Sequence, residues 1–135
     1  LKYIPQCSHI SEHMGFSSLD ENIKDLVEKL AREYNLFVDM SEVKWFQAWD
    51  RNKPIDTRID QFCENLGNLK PGTYMFVEHP AKDFEEMQPV GHIGNTDVAI
   101  QREWVTRVFT SEKVKKAIKE KGIQLISYGD YKKMK

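Results

Sequence analysis

Gly72-Thr-Tyr-Met-Phe-Val-Glu-His-Pro80 is the stretch whose reading decides the fold. Its β-branched and aromatic residues favour an extended strand, and the strand delivers an imidazole, His79, and then a proline at its carboxyl end. Open α/β sheets and β/α barrels keep their chemistry at that end of a strand. Proline disfavours helical backbone at the residue before it, so Pro80 keeps His79 extended and its side chain at a defined place. An imidazole there suits general acid catalysis or metal binding. Glu78 alternates to the opposite side of the strand and reads as structural.

On both sides of this stretch, strand patterns alternate with helix patterns. Residues 2–10 form a first strand candidate. Asp20 can cap a helix in which Ile23, Leu26, Val27, Leu30, Ala31 and Tyr34 follow helical spacing, and residues 36–38 then read as a short buried strand. Residues 39–54 carry Trp45, Phe46 and Trp49 without a clean period, which predicts a loop or lid. A helix over residues 57–66 puts Ile59, Phe62, Cys63 and Leu66 on one face, with Gly67 at its end. After the His79 strand, residues 81–95 hold Pro89, Gly91 and Gly94 and predict a long loop of the kind that serves a site. Asp97 caps a third helix to Phe109, with Val98, Val105, Val108 and Phe109 inward. Ser111 caps a fourth to Lys121, using Val114, Ala117 and Ile118, and Gly122 stops it. Residues 123–128 are a last strand candidate before a short lysine-rich end.

This order predicts the α/β class, with parallel strands and outer helices. About four strands are visible, whereas a closed β/α barrel needs about eight units. Residues 1–135 therefore read as a single domain, either a small open sheet or a partial barrel.

The chain has 135 residues, 40% of them hydrophobic, which is enough for a core. Its 20 basic and 21 acidic side chains leave a net charge of −1, so no global field draws it to nucleic acid or an anionic membrane. No apolar run approaches the ~20 residues needed to cross a bilayer, and the polar start is unlike a secretory signal. Cys7 and Cys63 lack CxxC spacing, which predicts reduced thiols and a cytoplasmic location.

The other chemistry-bearing positions are few. In Ser8-His-Ile-Ser-Glu-His-Met-Gly15, His9 and His13 are four apart, but Gly15 and the Ser17-Ser18 pair interrupt a helix there. On an extended strand their rings would lie ~13 Å apart, too far to share one ion unless the loop bends sharply. One then binds a metal and the other faces substrate, or both are plain surface or core histidines. His92, between Gly91 and Ile93-Gly94, defaults to a solvated side chain. Trp45 and Trp49 can form a sugar-stacking wall, although aromatics four apart more often pack. Cys63 reads as core, and Arg102, Glu103 and Arg107 as a solvated helix face. With no Gly-rich phosphate loop and no GxSxG elbow, kinase, dehydrogenase and serine-hydrolase readings lose their usual support.

The combination of Ser8-His-Ile-Ser-Glu-His-Met-Gly15, Val77-Glu-His-Pro80, and Asp97-Val-Ala-Ile-Gln-Arg-Glu-Trp through Gly122-Ile-Gln-Leu-Ile-Ser-Tyr128 resembles the C-terminal half of the YdjC-like carbohydrate deacetylases. The resemblance spans nearly the whole chain. It implies part of a β/α barrel related to polysaccharide deacetylases, acting on N-acetylated sugars or oligosaccharides with a divalent metal ion, Mg2+ or Zn2+. It also implies that His13 is a metal ligand with His9 as the earlier member of its pair, and that His79 lies in the active site as the acid that protonates the leaving amine or as a substrate contact. Trp45 and Trp49 remain the candidate substrate-stacking residues. Ser11 stands where many members have Asp, and Ala81 follows Pro80 where the family has Gly, which bears on substrate preference. The family's aspartate pair and its other metal-binding histidine belong to its first half, so the expectation is a chain that self-associates or pairs with that half. Two alternatives stay open: a non-catalytic carbohydrate-binding or interaction module without metal, and a small metal hydrolase that uses His9, His13 and His79 together.

Overall fold

The computed structural model describes residues 2–135. In chain order the elements are a 3-10 segment His13–Leu19, helix α1 Glu21–Glu33, strand β1 Lys44–Trp45, a 3-10 turn Ile55–Thr57, α2 Arg58–Gly67, strand β2 Tyr74–Met75, α3 Val98–Thr110, α4 Glu112–Glu120 and α5 Tyr128–Met134. The fold mixes helix and strand, at 46% helix with a two-stranded parallel sheet. The chain divides into two compact units: the described residues up to Glu42 together with Leu125–Lys135, and Val43–Gln124.

The second unit is a β-α-β arrangement followed by a helix pair. Lys44 faces Tyr74 and Trp45 faces Met75 in parallel register. The Lys44 amide donates to the Thr73 carbonyl (3.0 Å) and the Phe46 amide to the Met75 carbonyl (2.9 Å). Parallel strands cannot be joined by a hairpin, and the 44–75 connection carries α2 as its crossover. The core gathers Phe46, Ala48 and Trp49 from the β1 run, Phe62 and Leu66 from α2, Val105 and Val108 from α3, and Val114 from α4. Spacings of four on α2 and three on α3 put those pairs on single helix faces. Phe76 joins them edge-on, with ring centroids 5.3 Å from Trp49 and 5.6 Å from Phe62, the geometry that ring quadrupoles favour. Gly122, at φ 64°, ends α4 and lets the Ile123 amide donate to the Ile118 carbonyl at 3.0 Å.

In the first unit Asp20 caps α1, its side chain accepting from the Asn22 amide at 2.7 Å. Ala31 and Tyr131 are its buried apolar residues. At the end of α1, Asn35 takes φ 56° and its carbonyl accepts from the Lys132 ammonium. Arg32 lies over the Phe37 ring at 3.5 Å.

The helices follow the apolar spacing, and the strands depart from expectation for identifiable reasons. Residues 39–54, expected as a loop or lid, contain β1. Phe46 and Ala48 face inward while Trp45 and Gln47 face outward, but an apolar outward residue and a buried Trp49 disguise the alternation. Residues 36–38 form no ladder, because the Leu36 and Phe37 amides both donate to the Ala31 carbonyl (2.6 and 3.0 Å) and close α1 instead. Residues 123–128 form none either: the Ile123 amide is used at the end of α4, and Ser127 starts α5 in a capping box with Asp130. That box turns the expected lysine-rich end into a helix. Residues 2–10 carry a turn, with the Cys7 amide donating to the Ile4 carbonyl at 3.2 Å, in place of the expected strand. Asp97 and Ser111 precede α3 and α4 as expected, but neither side chain makes a capping hydrogen bond.

Candidate functional site

Because β1 and β2 are parallel, both runs leave the sheet at the same end, β1 through Gln47 to Asp50 and β2 through Phe76 to His79. His79 is exposed there. Glu78, just before it, has a side chain only 14% exposed and accepts a hydrogen bond from Arg51 Nη2 at 3.1 Å, an ion pair spanning 27 residues of sequence. Arg51 sits on a turn closed by Asp50, whose Oδ1 accepts from the Asn52 amide at 2.9 Å. Two amide side chains of α2 hold this exit: Gln61 Oε1 accepts from the Asp50 amide (2.9 Å), and Asn65 Nδ2 donates to the Ala48 carbonyl (3.0 Å). An irregular strand end leaves backbone groups without ladder partners, and these amides supply them. An open recess of about 540 Å³ lies beside the exit, its walls including Gln47, Asp50, Arg51, Lys53 and Glu64.

Beneath the exit, Arg58 is buried, its guanidinium 5.1 Å from the Trp49 ring centroid and its Nη1 donating to the Gln101 carbonyl at 3.1 Å. Burial pulls its proton affinity below the ordinary arginine value, Glu78 opposes that pull, and Arg51 adds to it. Glu78 is thus a mostly covered carboxylate whose hydrogen-bonded partner is the exposed Arg51 guanidinium, beside an exposed histidine. Sequence reasoning missed both arginines. Arg58 carries a faint signal, since it lies four residues before Phe62 on the inner face of α2.

Trp45 and Trp49 have different surroundings. Trp45 is 69% exposed, whereas Trp49 is 3% exposed and packed on Phe62 and Phe76, so the two rings share no surface.

His9 and His13 belong to the first unit. His9 is half-buried and stacked on Tyr128, with centroids 4.3 Å apart and planes 20° apart. Ser8 Oγ lies 3.0 Å from its Nδ1, which leaves Nε2 as the nitrogen for any further contact. Gly129 leaves room for this arrangement, because a Cβ there would stand 3.3 Å from the Ser8 side chain. His13 is exposed and opens the 3-10 segment. Met14 and Gly15 follow it with φ 55° and 62°, reversing the chain, and the Glu12 carboxylate accepts from the Ser17 amide at 3.0 Å across the reversal. A left-handed conformation costs a methionine about 1–2 kcal/mol, so the bend after His13 is a strained one.

A catalytic ion is held by about three protein ligands. Among the described residues no three His, Cys, Asp or Glu side chains gather closely enough to hold one.

The remaining candidates have local partners. His92 is exposed, its Nδ1 2.9 Å from the Ile93 carbonyl oxygen. Cys63 is half-buried against the core, and burial pushes its thiol above the ordinary value. Glu103 pairs with Arg107 (3.2 Å) and Lys82 (3.7 Å), and the Arg107 hydrogen bond is the main cause that holds its carboxyl below the usual range. Among the described residues no helix is long and apolar enough to cross a membrane.

No protein-family model matches the chain, and no curated protein matches it.

Proposed function

We propose that this chain is the C-terminal half of a YdjC-like β/α barrel and takes part in metal-dependent removal of acetyl groups from N-acetylated sugars or oligosaccharides, in the cytoplasm. The observation that carries the reading is an exposed imidazole, His79, four residues past the carboxyl end of β2 in a parallel β-α-β unit, the side on which such folds place reacting groups. The sequence resemblance supplies the reaction class.

Amide hydrolysis needs a proton for the departing amine. A ring nitrogen of His79 supplies it, with the backbone at that residue restrained by the following Pro80. His9 contacts the substrate through Nε2, since Nδ1 faces Ser8. His13 is this chain's ligand for the divalent ion, Mg2+ or Zn2+. A divalent ion held there would supply Lewis-acid polarisation of the acetyl carbonyl and an activated water. The donors that would complete its shell are those the resembling family draws from its first half.

Acetate release from N-acetylated oligosaccharides, measured with added divalent metal on the complete gene product that contains this chain, tests the reading. His79→Ala and His13→Ala should each lower release by at least about 100-fold, the scale of a lost general acid. A His13→Ala protein that keeps full metal-dependent activity would overturn the ligand assignment.

The exposed Trp45 supports a second reading, a carbohydrate-binding module without metal. Sugar binding that persists in chelator and disappears in Trp45→Ala would favour it.

A further inference from the structure

We infer that Arg51 is a positioning residue for His79: by holding Glu78 across the carboxyl ends of the two strands, it fixes the backbone from which the imidazole projects. The inference takes its functional meaning from the reading of His79 as the acid, but its physical content stands on the contact itself.

The ladder between β1 and β2 ends at Trp45 and Met75. His79 lies four residues beyond that point, so sheet hydrogen bonds do not reach it. Beyond the ladder the Phe46 amide donates to the Met75 carbonyl and Phe76 packs against Phe46 and Trp49, and the link between the two runs that lies nearest His79 in sequence is the pair between Arg51 Nη2 and Glu78 Oε1, 3.1 Å apart. One end of this brace is anchored, because Arg51 stands on the turn that Asp50 closes onto the Asn52 amide, and Gln61 of α2 accepts from the Asp50 amide. The other end is the residue bonded to His79. Side chains alternate along an extended run, so a brace on Glu78 leaves the imidazole side of the strand open for substrate. Pro80 restrains the backbone from the far side. His79 is thereby held between the cross-strand ion pair on one side and, on the other, Pro80 and Ala81, whose amide donates to the Arg102 carbonyl (3.3 Å) and whose carbonyl accepts from Thr106 Oγ1 (2.7 Å).

The two ends of the brace differ in what they risk when changed. The Glu78 side chain is only 14% exposed, so Glu78→Gln alters a mostly covered group. The Arg51 side chain is 75% exposed and its loss leaves the core intact. The informative changes are therefore Arg51→Gln and Arg51→Lys.

Backbone 15N relaxation on the labelled chain reads the effect directly. The inference expects an order parameter at His79 near ~0.85 in the native protein and in Arg51→Lys, falling below ~0.6 in Arg51→Gln. The thermal midpoint should be nearly the same in all three, so that a general loss of structure is told apart from a local one. A His79 backbone that stays equally ordered in Arg51→Gln, or that is already disordered in the native protein, overturns the inference. Kinetics on the complete gene product then separate it from the deacetylase reading. With both correct, Arg51→Gln lowers kcat by about tenfold at unchanged KM, as a displaced reacting group does. If His79 loosens and kcat stays unchanged, the brace stands and the role of His79 as acid fails.

Discussion

Replacing Trp49 by alanine should cost the Val43–Gln124 unit about 4 kcal/mol. The indole is 3% exposed, lies 5.3 Å from the Phe76 ring centroid and 6.0 Å from that of Phe62, and carries the buried Arg58 guanidinium 5.1 Å from its own centroid. Truncating a buried aromatic to alanine typically costs about 3–5 kcal/mol, because transfer free energy and cavity terms add. Arg58 would also lose a cation–π partner worth roughly 0.5–2 kcal/mol, which places the estimate in the upper part of that range. Domains of this size are stable by only about 5–15 kcal/mol, so the variant would sit near the edge of folding. Urea titration followed by far-UV circular dichroism measures the change. With a slope of about 1.5 kcal/mol per molar, the midpoint should fall by ~2–3 M. Trp45→Ala, at a 69% exposed position, should move the midpoint by less than about 0.5 kcal/mol equivalent. Equal, small effects of the two changes would refute the placement of Trp49 in the core and would restore the pair as a shared ligand surface.

Tyr131 is buried and its hydroxyl has no hydrogen-bond partner among the described residues. Tyr131→Phe should therefore be neutral or stabilising by up to about 1 kcal/mol in the same titration, and a clear loss would reveal a partner for that hydroxyl. A Cβ on Gly91 would stand 2.8 Å from the Asn95 carbonyl oxygen, so Gly91→Ala should break the His92–Asn95 turn and speed exchange of the His92 and Asn95 amides, with the core amides unaffected. Hydrogen bonds from Ser127 hold the Asp130 carboxyl below its ordinary 3.8. A depressed carboxyl stabilises the fold above its unfolded value and loses that contribution as pH falls through its folded value, so the first turn of α5 should fray on acidification below the ordinary aspartate range. NMR of the α5 amides would show this, and Ser127→Ala should reduce the acid sensitivity. Finally, Trp45 and Val77 are exposed at 69% and 52%, which supports self-association of the isolated chain. Sedimentation should show a concentration-dependent mass, and a monodisperse monomer with a cooperative, high-temperature melt would contradict it.

The helices were legible in the sequence because their signal is local. Phe62 and Leu66, or Val105 and Val108, declare a face within one or two turns. Strands were legible only in part: β2 lies within the expected 72–80 strand, but a ladder depends on where distant amides go. Leu36 and Phe37 look like strand residues, yet their amides close α1, and Ser127 looks like a strand end, yet it caps α5. The parallel pairing of Lys44–Trp45 with Tyr74–Met75 joins segments some thirty residues apart, beyond the reach of any periodicity. Within the candidate site, the position of His79 just beyond β2 could be read from the strand pattern and its proline. The Arg51–Glu78 pair could not, since nothing in the local sequence of either residue points to the other.

The central claim is that His79 donates a proton in the deacetylation of an N-acetylated sugar. Its most direct test is acetate release from an N-acetylated oligosaccharide by the complete gene product with divalent metal, native against His79→Ala, with the melting curve of each recorded alongside. The account predicts release by the native protein and a fall of at least about 100-fold in a variant that melts at the same temperature. Equal release by the two proteins would contradict it.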